Sequence, residues 1–322
     1  MTLNISLLGM GGTISTGASP KGALPTLGAE DLAKGLLGGG APDVVVKTRD
    51  VFRISSRSVA PEHMWHLATA VREEIDNGAN GVVITHGTDT LEETAYALAM
   101  LVDSTVPIAV TGAMRVPGSL GEDGPGNLAA ALAVVQNPAF AAYGPVVVFQ
   151  DEVHAARWAA KFHSARVGAF ASPTTGPVGV VVEGRAFPLL GPSPYKELLS
   201  SRAEPNKRVE LLTLVAGADG MIVDAIADKI DGLVIAGTGG GHTPPAMAES
   251  IVRVVKAGIP VVLTSRSADP HVLNNTYGGA GGEIFFREEG LYTAVNLSGP
   301  KARLRLLFGL SAGLSPAELF PR

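Results

Sequence analysis

Two periods alternate along the first half of this chain. The runs at residues 3–8, 44–48, 82–85, 107–111 and 146–150 are apolar and rich in β-branched side chains, which predicts buried strands. Between them the apolar spacing lengthens to that of a helix. Over residues 61–77, Met64, Leu67, Ala68, Val71 and Ile75 share one face, and Asn77-Gly78 supplies the stop. Leu91, Ala95, Leu98 and Leu101 share another, and residues 127–136 predict a further helix. Strands alternating with helices predict an α/β fold with a mostly parallel sheet covered on both faces.

The pattern changes after residue 171. Pro, Gly and Ser accumulate up to residue 205, which reads as a small hairpin region followed by a linker. A second α/β pattern then begins, with strands at 209–215, 232–236 and 260–264. Met247, Ile251, Val254 and Val255 mark the buried face of the helix between the last two, which stops at Gly258. The predicted organisation is an N-terminal α/β domain over residues 1–190, a linker over 191–208 and a smaller C-terminal α/β domain over 209–322.

Composition narrows the class. At 322 residues the chain is long enough for two ordinary domains. Hydrophobic residues make up 46% and charged residues 17%, which describes a well-buried globule and not a disordered chain. The net charge of −5 and the absence of a Lys/Arg cluster argue against a nucleic-acid partner. Arg202, Lys207 and Arg208 are flanked by acids and read as a solvated linker face. The chain has no cysteine, so disulfides and thiolate metal sites are excluded. His63 and His66 lie three apart on a helix with no third ligand paired to them, so no metal is expected there. No leader pattern opens the chain and no 18-residue apolar run interrupts it. A cytoplasmic location without a membrane partner is the default expectation.

The candidate chemistry sits where strands hand over to helices. Thr85-His86-Gly87-Thr88-Asp89-Thr90-Leu91-Glu92-Glu93-Thr94 sets a hydroxyl beside a carboxylate at a helix start. Thr90 with Glu93, or Asp89 with Glu92, has the spacing of a capping box. In open parallel sheets this edge is where ligands bind. Gly9-Met10-Gly11-Gly12-Thr13-Ile14 repeats the arrangement after the first strand, with glycines that let the backbone turn sharply and approach a ligand. It lacks the later glycine of a dinucleotide loop, and no Gly-Lys-Ser/Thr follows. If this strand neighbours the one ending at Thr85, Thr13 and Thr88 face one crevice. A threonine hydroxyl needs a nearby base to act as a nucleophile. Lys161, in Trp158-Ala159-Ala160-Lys161-Phe162, is the best candidate, because a lysine kept from water has a lowered pKa and can accept a proton. Asp89 would oppose that shift but could orient the ammonium. Each feature alone also has a plain structural reading: a tight turn, a helix cap, a lysine lying along apolar surface. A third glycine-rich turn, Gly237-Thr238-Gly239-Gly240-Gly241-His242, either packs closely or reaches a binding site.

In combination the motifs are more specific. Gly11-Gly12-Thr13-Ile14, then Thr85 through Tyr96, then Thr111-Gly112-Ala113-Met114-Arg115, then Asp123-Gly124-Pro125 with Asn127-Leu128, come in the order and approximate spacing of the bacterial-type L-asparaginases. The chain resembles that family along nearly its whole length, and Pro300-Lys301-Ala302-Arg303-Leu304 is similar to its C-terminal helix. The resemblance implies an amidohydrolase acting on L-asparagine without metal or organic cofactor. Thr13 would be the nucleophile, and Thr88, Asp89 and Lys161 a proton relay. Asp89 would also hold the substrate α-ammonium, and Ser56 in Ile54-Ser55-Ser56-Arg57 the α-carboxylate. Backbone N–H groups at the Gly12–Thr13 and Gly87–Thr88 turns would supply carboxylate and oxyanion contacts. The resemblance further implies a homodimer or homotetramer whose sites are completed by a neighbour's C-terminal domain.

Three departures stand out. The lid expected over residues 16–28 carries no tyrosine, and the first tyrosine in the chain is Tyr96. Arg57 follows the substrate-binding serine where the family often has glutamine. His271 falls near the neighbour's usual acidic residue, and His242 near its usual asparagine. These changes keep open the same chemistry on glutamine or another small amide, and binding with little turnover.

Overall fold

The computed structural model describes residues 2–17, 24–25, 27–37 and 44–321. They belong to two compact units, Met1–Leu198 and Leu199–Arg322.

The first unit is built on an eight-stranded sheet. Its order is β12 (Arg185–Pro188), β11 (Gly179–Val182), β8 (Glu152–Ala155), β7 (Pro145–Phe149), β6 (Ile108–Thr111), β5 (Gly81–Thr85), β1 (Leu3–Gly11) and β4 (Val44–Ile54). The five strands from β4 to β7 in this order are parallel, and β8, β11 and β12 add antiparallel hairpins at one edge. Two short ladders lie outside the sheet: β2 (Thr16–Gly17) with β3 (Leu24–Pro25), and β9 (Ala160–Lys161) with β10 (Phe170–Ala171).

The central strands read as continuous apolar runs because both faces are covered. In β1, Ile5 and Leu7 pack in one core with Ala29 and Ala33 of α1 (Ala29–Leu37) and with Leu128 and Ala131 of α4 (Gly124–Val135). Ser6 faces the other way, as the two-residue period of a strand requires. Its hydroxyl donates to Glu74 of α2 (Pro61–Asp76) at 3.0 Å. Glu74 also accepts from Lys47 at 3.1 Å and Arg49 at 3.4 Å. Burial alone would raise its pKa, but the bonds from Lys47, Ser6 and Arg49 outweigh it and hold the carboxyl below its ordinary range. His63 accepts the Ala60 N–H at 3.0 Å and meets the Phe52 ring edge-on, a helix-capping role.

Strand β4 continues past Thr48 to Ile54. The apolar run ends because Arg49, Asp50 and Arg53 are solvated on this edge strand, while the ladder with β1 runs on to Gly11 opposite Ile54. The capping boxes expected at 89–93 do not form. Thr90 is the N-cap of α3 (Leu91–Leu101) without a side-chain cap bond. Its hydroxyl donates to the Ser56 carbonyl at 2.8 Å, and Glu92 accepts the backbone N–H of Lys161. Tertiary partners have taken the groups that a local cap would use.

The second unit has a four-stranded parallel sheet in the order β13 (Val209–Thr213), β14 (Gly232–Gly237), β15 (Val261–Ser265), β16 (Tyr292–Thr293). Its helices are α5 (Met221–Ile226), α6 (Pro245–Lys256), α7 (Glu283–Glu288), α8 (Gly299–Ser311) and α9 (Pro316–Leu319). Met247, Ile251 and Val254 of α6 join Leu233, Ile235, Val261 and Leu263 in the core, with Val255 at its margin. Among the described residues no helix is long and apolar enough to cross a membrane.

Strand order fixes where a crevice opens. From β1 the chain passes by α1 to β4 on one side, then returns by α2 to β5 on the other side of β1. The reversal between β1 and β5 is the switch point at which an open α/β sheet binds its ligands, beyond the strands' carboxyl ends.

Candidate active site

Strands β1 and β5 lie side by side, with Gly9 opposite Thr85. Gly11 and Gly12 then take φ of 93° and 83°, a backbone conformation that favours glycine. A Cβ on Gly12 would lie 2.2 Å from the Cα of Gly87, and a Cβ on Gly87 would lie 2.7 Å from the Oγ of Ser56. Three chain segments therefore meet where no side chain fits, and Thr13 and Thr88 are the next residues after the two glycines. The Gly12 N–H donates to the Ile54 carbonyl at 3.1 Å, so it is not free for substrate as the sequence reading expected. Thr13 is half-buried, and its hydroxyl makes no hydrogen bond to a described residue.

Across this contact, Lys161 Nζ donates to Thr88 Oγ1 at 2.9 Å and to Asp89 Oδ1 at 2.7 Å. Ser56 Oγ donates to Asp89 Oδ2 at 3.2 Å and receives the Asp89 N–H at the same distance. Lys161 is 16% exposed and Asp89 57% in their side chains, so the pair has one sheltered and one open end. The Lys161 hydrogen bond holds the Asp89 carboxyl below the usual carboxylate range. Partial burial opposes this, and the Lys161 charge, Ser56 and the Arg57 charge reinforce it. Arg57 is exposed beside this group.

The structure thus brings Ser56, Thr88, Asp89 and Lys161 into one bonded group and sets Thr13 beside it. His242 and His271 belong to the second unit. His242 Nε2 lies 3.0 Å from Glu283 Oε2, with its ring edge against Tyr277, while His271 is exposed beyond β15. The glycine-rich turn before His242 closes on itself: a Cβ on Gly237 would lie 2.5 Å from the Gly241 carbonyl. Residues 18–23 and 26 of the expected lid lie outside the described residues. Among the described residues no group of three His, Asp or Glu side chains is arranged to hold a metal ion.

Several contributors carry no assignment from the sequence. His86 is fully buried, and burial pushes its pKa down to about 4 despite a bond to Gly87 that favours the charged form. The ring is therefore neutral near pH 7. Its Nδ1 lies 2.7 Å from the Gly87 carbonyl, which can only accept, so Nδ1 is assigned the proton. Nε2 then accepts from Thr94 Oγ1 at 3.0 Å. His86 thereby fixes the peptide that precedes Thr88. Asp123 accepts the N–H groups of Met114 and Arg115 at 2.9 Å each. Asn127 joins Gly112 to Gln150 through its amide, with both bonds at 3.0 Å. These two motif residues brace the tips of β6 and β7. The His86–Thr94 spacing of eight within one motif was the available signal for the first network.

A bonded Thr–Lys–Asp group at a switch-point crevice has the side chains that activating a hydroxyl requires. Comparison with known proteins narrows the chemistry. The family description "Asparaginase, N-terminal" matches residues 4–190, and "Glutaminase/Asparaginase C-terminal domain" matches 208–320. The chain is 36% identical over 319 residues to the protein named "Probable L-asparaginase" from Deinococcus radiodurans, covering 98% of this chain and 95% of that one. It is 28% identical over 314 residues to "L-asparaginase" from Bacillus licheniformis, covering 95% of each. The crystal structure of "Probable Cytoplasmic L-asparaginase" from Campylobacter jejuni superposes with a TM-score of 0.87 at 28% identity, over 99% of this chain and 98% of that chain. The protein belongs to the asparaginase family.

Proposed function

We propose that this enzyme hydrolyses the side-chain amide of L-asparagine to L-aspartate and ammonia. The observation that carries the reading is Lys161 Nζ within hydrogen-bond reach of both Thr88 Oγ1 and Asp89 Oδ1, beside a Thr13 hydroxyl with no described partner. Thr13 Oγ adds to the amide carbon, the C–N bond breaks, and nitrogen leaves as ammonia with the threonine proton. Water then attacks the resulting ester. Lys161 passes one proton to Asp89 and accepts that of Thr88, which takes the water's proton; as the ester C–O bond breaks the relay returns a proton to Thr13 Oγ, and aspartate leaves with Thr13 and the relay restored. The open side of Asp89 holds the substrate α-ammonium, and Ser56 with Arg57 holds the α-carboxylate. The N–H groups of Thr13 and of the Gly87–Thr88 turn bind the oxyanion and carboxylate. No step calls for a metal or organic cofactor.

The reading extends to a cytoplasmic homodimer or homotetramer in which His242 and His271 approach a neighbour's site. The similarity to a structure named cytoplasmic supports the compartment. Sedimentation analysis tests the assembly. Release of ammonia from asparagine, glutamine, D-asparagine and a small peptide amide tests the chemistry, with asparagine expected to be the fastest. A folded wild-type protein that releases ammonia from none of them refutes the proposal.

A further inference from the structure

We infer that Glu92 is a positioning residue for Lys161, an inference that rests on the proposed relay. Lys161 lies in β9, a two-residue strand whose ladder partner β10 is equally short. So short a ladder cannot by itself hold an ammonium within hydrogen-bond distance of two targets. Helix α3 supplies the missing constraint. Glu92 accepts the backbone N–H of Lys161 itself. One helical turn on, Tyr96 donates its hydroxyl to Glu197 at 2.5 Å, and Glu197 pairs with Arg157. Glu92 and Tyr96 are i, i+4 neighbours on one face. Arg157 and Lys161 are likewise four apart along the gripped segment. The Arg157 guanidinium is sheltered, 4.0 Å from the Tyr195 ring and 5.0 Å from the Trp158 ring. Thr88 and Asp89 lie in the turn that leads through the N-cap Thr90 into α3, so the relay's oxygen atoms and the grip on the lysine backbone are joined by a few residues of chain. The Lys161 side chain spans back from its held amide to the head of the same helix.

The test compares Glu92→Ala, which removes the acceptor, with Glu92→Gln, which keeps an acceptor oxygen. Glu92→Ala lowers kcat for asparagine on the order of 10²-fold, the cost of misplacing a reacting group by about 1 Å. Its affinity for aspartate, set by Asp89 and Ser56, stays near wild type, and Glu92→Gln recovers most of kcat. A second readout needs no turnover: the rate of reductive methylation of Lys161, followed by mass spectrometry, rises in Glu92→Ala and not in Glu92→Gln. If wild type releases no ammonia, the proposed function fails while the methylation rates still decide the positioning. Wild-type kcat and methylation in Glu92→Ala overturn the inference, as does a Glu92→Gln enzyme as impaired as Glu92→Ala. Should Glu92→Ala not fold, Tyr96→Phe loosens the other end of the grip. It raises Lys161 methylation and lowers kcat, and wild-type values of both overturn the inference.

Discussion

Mild acid will destabilise the first unit above the pH range in which its carboxylates protonate. Burial pushes both His86 and His154 down to about 4, against an ordinary histidine value of 6.5. Between those values an unfolded histidine binds a proton that the folded one refuses. Unfolding then takes up protons, and stability falls as pH drops. Lowering the pKa from 6.5 to about 4 corresponds to about 3 kcal/mol for each histidine. The loss starts near pH 6.5 and is complete near pH 4. His154 contributes less than this in full, because the Glu152 carboxylate 3.3 Å from its Nε2 would attract the charged form. Asp89 and Glu74 act in the same direction but lower down. Their pKa values are depressed, so their stabilisation is present above the unfolded carboxylate range near pH 4 and is lost below it. The window from about pH 4.5 to 6.5 therefore belongs to the histidines. A loss of several kcal/mol there is a large share of the roughly 5–15 kcal/mol that holds a domain folded. The assay is urea unfolding at stepped pH, read by tryptophan fluorescence. The chain's two tryptophans, Trp65 and Trp158, both lie in the first unit. His86→Gln and His154→Gln lower the absolute stability at pH 7, but each flattens the slope across the window by up to about 1.4 kcal/mol per pH unit. A slope unchanged in both variants would refute the reasoning.

Thr13→Ala and Thr88→Ala each reduce kcat for asparagine by at least ~10²-fold, with thermal melts near wild type, as checked by ammonia release and calorimetry. Lys161→Met folds and still binds aspartate in titration calorimetry, yet turnover is lost; retained activity would make the lysine purely structural. Gly12→Ala places a Cβ 2.2 Å from the Gly87 backbone at a φ of 83°. It lowers stability by more than the ~1–3 kcal/mol of backbone strain alone and removes activity with it, as a urea melt and the ammonia assay together will show.

The alternation of strands and helices was legible because burial on both faces leaves apolar runs whose period needs no partner to read. Thr13, Thr88 and Asp89 were legible as candidates because each follows such a run. Lys161 could be picked out by its apolar neighbours, but not what holds it. Glu92 is 69 positions away in sequence and Glu197 is 40 positions from Arg157. The spacing of Thr90, Glu92 and Glu93 suggested a local cap, and the contacts with Ser56 and Lys161 displaced it. His86 sits inside the quoted motif, yet its proton assignment depends on total burial and on the Gly87 carbonyl, neither visible in a string of residues. Strand β4 exceeded its apolar run because a ladder is set by its neighbour's backbone and not by side-chain polarity.

The glycines explain how the segments that carry Thr13 and Thr88 come together. A switch point opens a crevice between β1 and β5, but neighbouring strands carry their tips apart unless the loops beyond them converge. Gly12 against the Gly87 backbone, and Gly87 against the Ser56 side chain, bring three chain segments closer than any added Cβ allows. Ser56 then does two things at that contact: its carbonyl takes the Thr90 hydroxyl, and its hydroxyl bonds Asp89. The loop after β4 is thereby tied to the head of α3, whose first turn also holds Lys161 through Glu92. A methyl group at Gly12 or Gly87 would act through this chain of contacts. It would push the β1 tip and Thr13 away from a relay that itself stays assembled on α3. Loss of turnover with Lys161 still slow to methylate would be the signature of that displacement, and it separates a fault in the glycine contact from a fault in the grip on the lysine.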